Sequence, residues 1–411
     1  MKLGVSILFF VTFAACDPAI IYLKKYRDPS TIFDNIESGA QLYLASNDDN
    51  DALKNIHVTT GALSVSLDIL NKINADGSPM SLTITNGLTL TTTNSETVTK
   101  VLTGFLYVTN KAQADDPTFS VMVIKNRHII TTPRGQNSTV VILNTELMSD
   151  SIDADKPDKT SYVTEINQLS DTDLHFHWGI PASNWTKVTV NQFFENPLYL
   201  DYIDMKTKKI VNTTVAFFDN IDPLPVNVDY WYLTTTGQVS MVVENKYVSY
   251  HEYTTNSVNS TGLISNSFVF KQQRVNFLLD YTRTRTVGTL ISVWPESTDY
   301  ITFILGNGET EIDQNFNINS TVKHALLTTQ FQASYLIVRS TTYLPGMFFC
   351  QYYGITGDLV PVNTTTLGPS TVSQSTTVPS STVSVMTTTK SSWTIRVFEM
   401  FVMVFVVMLI S

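Results

Sequence analysis

Cysteine is scarce in this chain of 411 residues, which contains only Cys16 and Cys350. A small disulfide-stapled fold is therefore excluded, and a chain of this length buries a sizeable core without such staples. Charged residues are also few, at 15% of the chain, and 26 basic against 36 acidic side chains give a formal net charge of −10. Because nucleic-acid binding depends on cationic side chains that neutralise phosphates, this balance excludes a nucleic-acid partner bound in that way.

Familiar catalytic motifs are absent as well. The sequence has no Gly-x-Ser-x-Gly nucleophile motif and no phosphate-cradling glycine-rich loop, and Cys350 has no histidine near it in the sequence. The acidic stretch at residues 47–51 lacks the glycine and the terminal glutamate of a twelve-residue calcium loop, so it is expected to be a solvated loop. We therefore expect no enzymatic activity and no cofactor.

Strand-forming residues dominate what is present, and the aromatic residues include 22 Phe and 18 Tyr. Asn86-Gly87 lies between two alternating runs, which is the strongest local signal for a hairpin. The sequence predicts an all-β fold with two antiparallel β-sandwich domains, at residues 17–180 and 181–358. Apolar and polar residues alternate with the period of a half-buried strand in runs such as 63–69, 102–108, 119–124, 139–143, 198–203 and 239–253.

The N-terminal apolar stretch is too short to span a bilayer. Residues 1–16 are therefore interpreted as a secretory signal peptide cleaved near Cys16-Asp17, and a lipidated Cys16 is the alternative. After the β-rich part, residues 359–392 are rich in Ser, Thr and Pro, a composition typical of an O-glycosylated stalk.

The C-terminal segment, residues 393–411, is mostly apolar. A hydrophobic tail that follows a polar spacer favours a GPI-attachment signal, with Ser380 or Ser384 as the attachment residue. A short transmembrane tail is the alternative. These features predict a chain held at the extracellular face of the plasma membrane, or secreted.

N-glycosylation acceptors support this location. Together with the predicted signal peptide they predict a glycosylated surface protein whose partner is an unknown protein or glycan ligand. Six Asn-x-Ser/Thr sequences occur, at Asn137, Asn184, Asn212, Asn259, Asn319 and Asn363.

Three short stretches, 267–270, 332–340 and 346–353, carry a family resemblance. They read Ser-Phe-Val-Phe, then Gln-Ala-Ser-Tyr-Leu-Ile-Val-Arg-Ser, then Gly-Met-Phe-Phe followed by Gln-Tyr-Tyr, and they resemble the nematode CUB-like domain proteins. The resemblance implies a jelly-roll-like sandwich in residues 181–358 and a role in innate immune defence. This sequence departs from ordinary CUB domains because it lacks their paired cysteines. The calcium site of those domains is therefore not expected here.

His175 and His177 are the candidates for a metal site. On a strand, side chains at i and i+2 point to the same face and two imidazoles supply two corners of a tetrahedral zinc site. The local sequence also resembles the zinc-binding strand of carbonic anhydrases, but the third histidine at that family's spacing is missing. An extracellular metalloenzyme is therefore the alternative function. The simpler interpretation is a strand in which Phe176 packs inward and both imidazoles face solvent.

Overall fold

The computed structural model describes residues 17–25, 30–144, 158–183, 191–203, 210–248, 252–265, 272–278, 285–294, 300–309, 311–317, 324–331, 333–340 and 347–356. Strands dominate these residues and most neighbouring strands are antiparallel, so the predicted all-β fold is confirmed. The predicted signal peptide, stalk and C-terminal segment lie outside the described residues. So do Asn184, Asn319, Asn363, Ser380 and Ser384.

The first part of the chain builds two facing sheets and four short helices. One sheet has the strand order β1-β8-β3-β6 and the other β2-β7-β4-β5. Leucine, isoleucine and valine side chains from both sheets form one buried core between them. The elements are β1 (Ala19–Tyr22), a 3-10 turn (Leu23–Lys25), β2 (Ser30–Phe33), β3 (Gln41–Ala45), α1 (Asn50–Lys54), β4 (Ile56–Thr60), β5 (Leu63–Ser66), α2 (Leu67–Leu70), β6 (Ser81–Thr83), β7 (Leu88–Thr92), α3 (Glu96–Lys100), β8 (Phe105–Val108) and α4 (Lys111–Asp115).

The predicted hairpin around Asn86-Gly87 is wrong. Strand β6 pairs with β3 in one sheet, whereas β7 pairs with β2 and β4 in the other. Gly87 has a φ of 58°, and the turn carries the chain from one sheet to the facing one. Leu82 and Leu90, on either side of the turn, are both buried in the shared core, and burying them between two layers outweighs the local preference for a hairpin.

The run at 63–69, predicted as one strand, is also divided. Strand β5 ends at Ser66 and helix α2 begins at Leu67, so Leu67 and Leu70 are buried together on one side of a helical turn.

The middle of the chain builds a second pair of sheets. Their orders are β14-β13-β18-β11-β9 and β10-β19-β12-β17, and their facing sides enclose an aromatic-rich core around Phe176 and Trp231. Strands β9 and β11 are parallel neighbours, the others antiparallel. The strands are β9 (Phe119–Ile124), β10 (Arg127–Thr131), β11 (Ser138–Asn144), β12 (Asp158–Gln168), β13 (Leu174–Trp178), β14 (Gln192–Asn196), β17 (Leu224–Val226), β18 (Tyr230–Thr235) and β19 (Val239–Val248).

The last part builds a third pair of sheets, ordered β21-β28-β23-β26 and β20-β22-β27-β24-β25, around a core that contains Cys350. Strands β15 and β16 pair only with each other among the described strands; we call them the β15–β16 ribbon. The strands are β15 (Leu198–Ile203), β16 (Ile210–Ala216), β20 (Glu252–Thr254), β21 (Ser260–Ser265), β22 (Gln272–Asn276), β23 (Arg285–Trp294), β24 (Tyr300–Gly306), β25 (Glu311–Asn317), β26 (His324–Phe331), β27 (Tyr335–Ser340) and β28 (Met347–Thr356).

Aromatic contacts join the three sheet pairs. The outer face of the first pair packs on β9, β11 and β18 through a cluster that includes Phe105, Tyr107 and Tyr232. Phe349 of β28 stacks on Phe193 of β14 with ring centroids 4.1 Å apart. Strands from both sides of residue 180 share the middle sheets, and the predicted domain boundary at that position stays a prediction. The four α-helices within the described residues have at most five residues each, and none of them can cross a bilayer.

Candidate glycan and ligand-binding surface

Two of the predicted N-glycosylation acceptors have described side chains, and both are exposed. Asn137 lies in the loop before β11. Asn259 lies immediately before β21, and its Oδ1 accepts hydrogen bonds from the backbone N–H of Thr356 at 2.6 Å and from its Oγ1 at 2.9 Å. Exposure is what an attached glycan requires. For Asn212 the structure describes the backbone alone, in β16 opposite Tyr202.

An open cleft of about 510 Å³ lies beside the segment that leads to Asn259. The end of β12 forms one wall with Leu169, the residues after the β15–β16 ribbon form the opposite wall, and Gln238 and Ser240 complete the lining. Phe218, Asp219 and Ile221 belong to the second wall. The cleft thus combines apolar carbon surface with amide, hydroxyl and carboxylate groups.

Asn196 ties the two walls together. Its side chain is fully buried; its Nδ2 donates to Gln168 Oε1 at 2.9 Å and to the Phe218 carbonyl at 3.0 Å, and its Oδ1 accepts from Phe218 N–H at 3.0 Å. Gln168 is held further by donating to the carbonyls of Thr172 and Asn196, each at 2.6 Å. A buried network in which each member is bonded holds the two walls at one separation.

The wall at the end of β12 contains a strained residue. A bulge interrupts β12 between Thr164 and Asn167, and Glu165 has a φ of 52°, in the left-handed region. Such a conformation costs a non-glycine residue about 1–3 kcal/mol and occurs preferentially at functional sites. The bulge places Asn167 and Gln168 in the lining of the cleft.

Asp222 anchors the other wall to the third sheet pair. Its side chain is fully buried and accepts from Tyr253 OH at 3.1 Å, Asn256 N–H at 2.9 Å and Tyr352 OH at 3.2 Å. Burial raises the pKa of this carboxyl, and the hydrogen bonds oppose that shift. The backbone completes the attachment, since Asp222 N–H donates to the Thr261 carbonyl at 2.7 Å and Thr261 N–H donates to the Asn220 carbonyl at 3.1 Å. These four partners and Asp222 form what we call the Asp222 clamp.

The β15–β16 ribbon presents an apolar pair to solvent. Tyr199 and Val215 lie directly opposite each other in the two strands and are 48% and 54% exposed. The adjacent Leu198 is buried with Phe218 and Tyr353. At this end of the ribbon Leu198 therefore packs inward, whereas Tyr199 and Val215 form an exposed cross-strand apolar pair, a position at which interaction surfaces are common.

The histidine pair is placed differently from the prediction. Phe176 is buried as predicted, but His177 is only 3% exposed. Its ring stacks on Tyr232 with centroids 4.6 Å apart, and its Nε2 lies 3.1 Å from Thr234 Oγ1. The expectation that both imidazoles face solvent is wrong, because Tyr232 of the neighbouring strand β18 covers the ring of His177. Burial lowers the pKa of His177 to about 3.

A metal-holding arrangement is not seen around these histidines. The ring centroids of His175 and His177 are 6.3 Å apart. Nowhere among the described residues do three or more His, Cys, Asp or Glu side chains converge as metal ligands.

Two other predictions concern single side chains. Cys350 is buried, as the sequence predicts, and forms no disulfide with another described residue. The prediction of a wholly solvated loop at 47–51 is wrong for Asp48, whose carboxylate accepts from the backbone N–H groups of Thr103 and Gly104, both at 2.8 Å. Asp49 caps helix α1 by accepting from Asp51 N–H.

Sequence reasoning missed the cleft and the Asp222 clamp. No local pattern marks them, because they are held by contacts between distant parts of the chain: the bond between Asn196 and Phe218 spans 22 positions, and the bond between Asp222 and Tyr352 spans 130. The polar residues Asn196 and Asp222 stand within strand-forming sequence, and only their burial shows that they organise the surface.

Comparison with known proteins identifies a family. The model of the family described as "Transmembrane glycoprotein" matches residues 37–406. No curated protein matches the chain. Among solved structures, a chain from the atomic structure of Sulfolobus Turreted Icosahedral Virus aligns at 12% identity over 80% of this chain and 84% of that chain, with a TM-score of 0.18, which carries no argument. The family match shows that the resemblance to nematode CUB-like proteins is wrong. The immune role was implied by that resemblance alone, so it is no longer supported.

Proposed function

From the premise that this chain belongs to the transmembrane glycoprotein family and is a surface glycoprotein, we propose that it acts in recognition, as a membrane-anchored protein that binds a partner and catalyses no reaction. The observation that carries the proposal is the exposed Tyr199–Val215 pair on a ribbon that joins no larger sheet among the described strands. Tyrosine beside an aliphatic residue provides the apolar contact surface on which protein interfaces depend.

The polar surface supports the same function. Asn137 and Asn259 are exposed acceptors for the glycans of a surface protein. His177 is occupied by stacking and by its contact with Thr234, so it serves packing. These features favour recognition over the metalloenzyme alternative.

We further propose that the C-terminal segment 393–411 anchors the chain. The family match extends to residue 406 and so includes most of this segment, and the family's description favours a spanning tail over a GPI signal. Full-length chain expressed in eukaryotic cells tests this. A spanning tail predicts that the protein stays in the membrane fraction after treatment with phosphatidylinositol phospholipase C and with alkaline carbonate. Release by the phospholipase would establish a GPI anchor instead.

Recognition through the ribbon is tested by photocrosslinking on cells. A photoreactive amino acid at position 199 of the full-length chain is expected to give intermolecular crosslinks that compete away with unlabelled protein. The matched control carries the same amino acid at Val101, which is 68% exposed on a different part of the chain. Equal crosslinking at both positions would show that exposure alone, and not a binding surface, accounts for the result.

A further inference from the structure

The chemistry of the cleft selects for an uncharged polar ligand. Among the described residues that line it there is no Lys, Arg or His, so an anionic ligand finds no counter-charge there. Gln238 and Ser240 provide both donors and acceptors, and Asp219 provides acceptors. No hydrogen bond of these three side chains with other described residues is present in the structure. Their bonding capacity is therefore free for a ligand with many hydroxyl groups.

The apolar part of the lining suits one face of a sugar ring. Leu169 is 41% exposed, and Ile221 is partly buried against the middle core. A pyranose combines a ring face of C–H groups with hydroxyls that both donate and accept, and so matches an aliphatic wall with nearby amide and carboxylate groups. The Asn196 network holds the walls in place before any ligand binds, which lowers the entropy cost of binding.

A source of saccharide lies next to the cleft. Ile221, in the lining, forms a bridge with Thr261, and the acceptor Asn259 is two residues before Thr261. About 5 Å across the bridge and about 3.5 Å for each residue of chain place the Cα atoms of Ile221 and Asn259 within roughly 12 Å of each other. Asn259 Oδ1 is held by two bonds from Thr356 of β28.

We propose that this cleft is a binding site for a neutral saccharide and that the first sugars of the chain's own Asn259 glycan occupy it. The inference rests on the proposed function in that it requires a glycosylated surface protein. Its physical basis is separate, because it depends on the cleft and not on the β15–β16 ribbon or on the anchor. A glycan held in this way would shield the join between the second and third sheet pairs that the Asp222 clamp makes.

Site-specific deglycosylation tests the proposal. Full-length glycoprotein from eukaryotic cells is treated with peptide N-glycosidase without denaturation, and cleavage at each acceptor is followed by mass spectrometry. Cleavage at Asn259 is expected to be at least about tenfold slower than at Asn137, the factor for one or two net hydrogen bonds lost on opening. After denaturation the two rates become equal. The double substitution Asp219→Ala and Gln238→Ala raises the native rate at Asn259 and leaves that at Asn137 unchanged, whereas Asp34→Ala, the control at an exposed carboxylate outside the lining, changes neither.

A second arm identifies the source of the sugar. The Asn259→Gln variant keeps the cleft without its neighbouring glycan, and a released neutral N-glycan core is added to it and observed by saturation-transfer NMR. Binding that Gln238→Ala abolishes supports the saccharide site. Equal native cleavage at Asn259 and Asn137, together with such binding, would overturn occupancy by the chain's own glycan and assign the sugar to another molecule. Equal cleavage without binding would overturn the site itself. If Asn137 carried no glycan and the protein were absent from the membrane fraction, that result would instead count against the proposed function.

Discussion

The Asp222 clamp offers the sharpest test of how this surface is built, through the substitution Asp222→Ala. Three donors lose their acceptor, but the free-energy cost of the lost bond differs from one donor to the next. Tyr352 is 2% exposed and keeps no access to water, whereas Tyr253 is half-buried and Asn256 is exposed. A buried donor left without a partner costs about 1–3 kcal/mol, and a half-buried or exposed donor costs less because water replaces the lost bond. We therefore expect the free energy of unfolding to fall by about 3–5 kcal/mol.

The single substitutions should follow the burial of each donor. Tyr352→Phe is expected to cost about 1.5–3 kcal/mol and Tyr253→Phe about 1 kcal/mol, since water replaces the second bond more readily. The control is Asp219→Ala, three positions earlier and exposed, which should change stability by less than about 0.5 kcal/mol. Chemical denaturation of the purified chain, followed by tryptophan fluorescence, measures all four.

The pH dependence gives an independent check of the same carboxyl. Because burial raises the pKa of Asp222, its contribution to stability is complete below the unfolded pKa and is lost as the pH rises through the folded pKa. As the pH rises above about 4, the wild-type chain should therefore lose stability relative to the Asp222→Asn variant. If Asp222→Ala costs no more than Asp219→Ala, or if the Asp222→Asn comparison shows no pH trend, the clamp does not hold this surface together.

Three further predictions concern other buried groups. Burial raises the pKa of Asp229 to about 6, so Asp229→Asn should stabilise the chain above that pH and have little effect below about pH 4, as measured by unfolding at both pH values. Burial lowers the pKa of His177 to about 3, so the stability that this residue contributes is lost as the pH falls from about 6.5. In the His177→Phe variant the free energy of unfolding should therefore fall less on acidification than in the wild type. An unchanged dependence of stability on acid pH would contradict the buried stack. Burial raises the pKa of Cys350, so its thiol should resist iodoacetamide in the native chain and react after denaturation, whereas native labelling at the rate of a free thiol would contradict the packing.

Local alternation predicted individual strands well. The runs at 119–124 and 198–203 coincide with β9 and β15. In β9, Val121 and Val123 are buried whereas Ser120 and Met122 are only partly buried, as the two-residue period of a strand predicts. The same rule failed at Leu67, where α2 begins. It failed at Asn86-Gly87 as well, because turn chemistry alone does not say whether the next strand returns to the same sheet or crosses to the facing one.

The candidate site was less accessible from the sequence. Asn137 and Asn259 could be found because an acceptor sequence is local. Asn196, Asp222 and the cleft could not, since each depends on pairing between distant strands. His177 shows the same limit: the alternation places it on the face opposite Phe176, but only its cross-strand stack on Tyr232 of β18 shows that it is buried.

Glycosylation, surface exposure and membrane anchoring of this protein are best measured together, on the full-length chain in eukaryotic cells. Surface biotinylation followed by glycopeptide mass spectrometry and carbonate extraction examines all three properties in one sample. We expect the protein to be biotinylated, to carry glycans at Asn137 and Asn259 and to remain in the extracted membrane. Protein that is not biotinylated, lacks glycans at both asparagines and is found in the soluble fraction would contradict it.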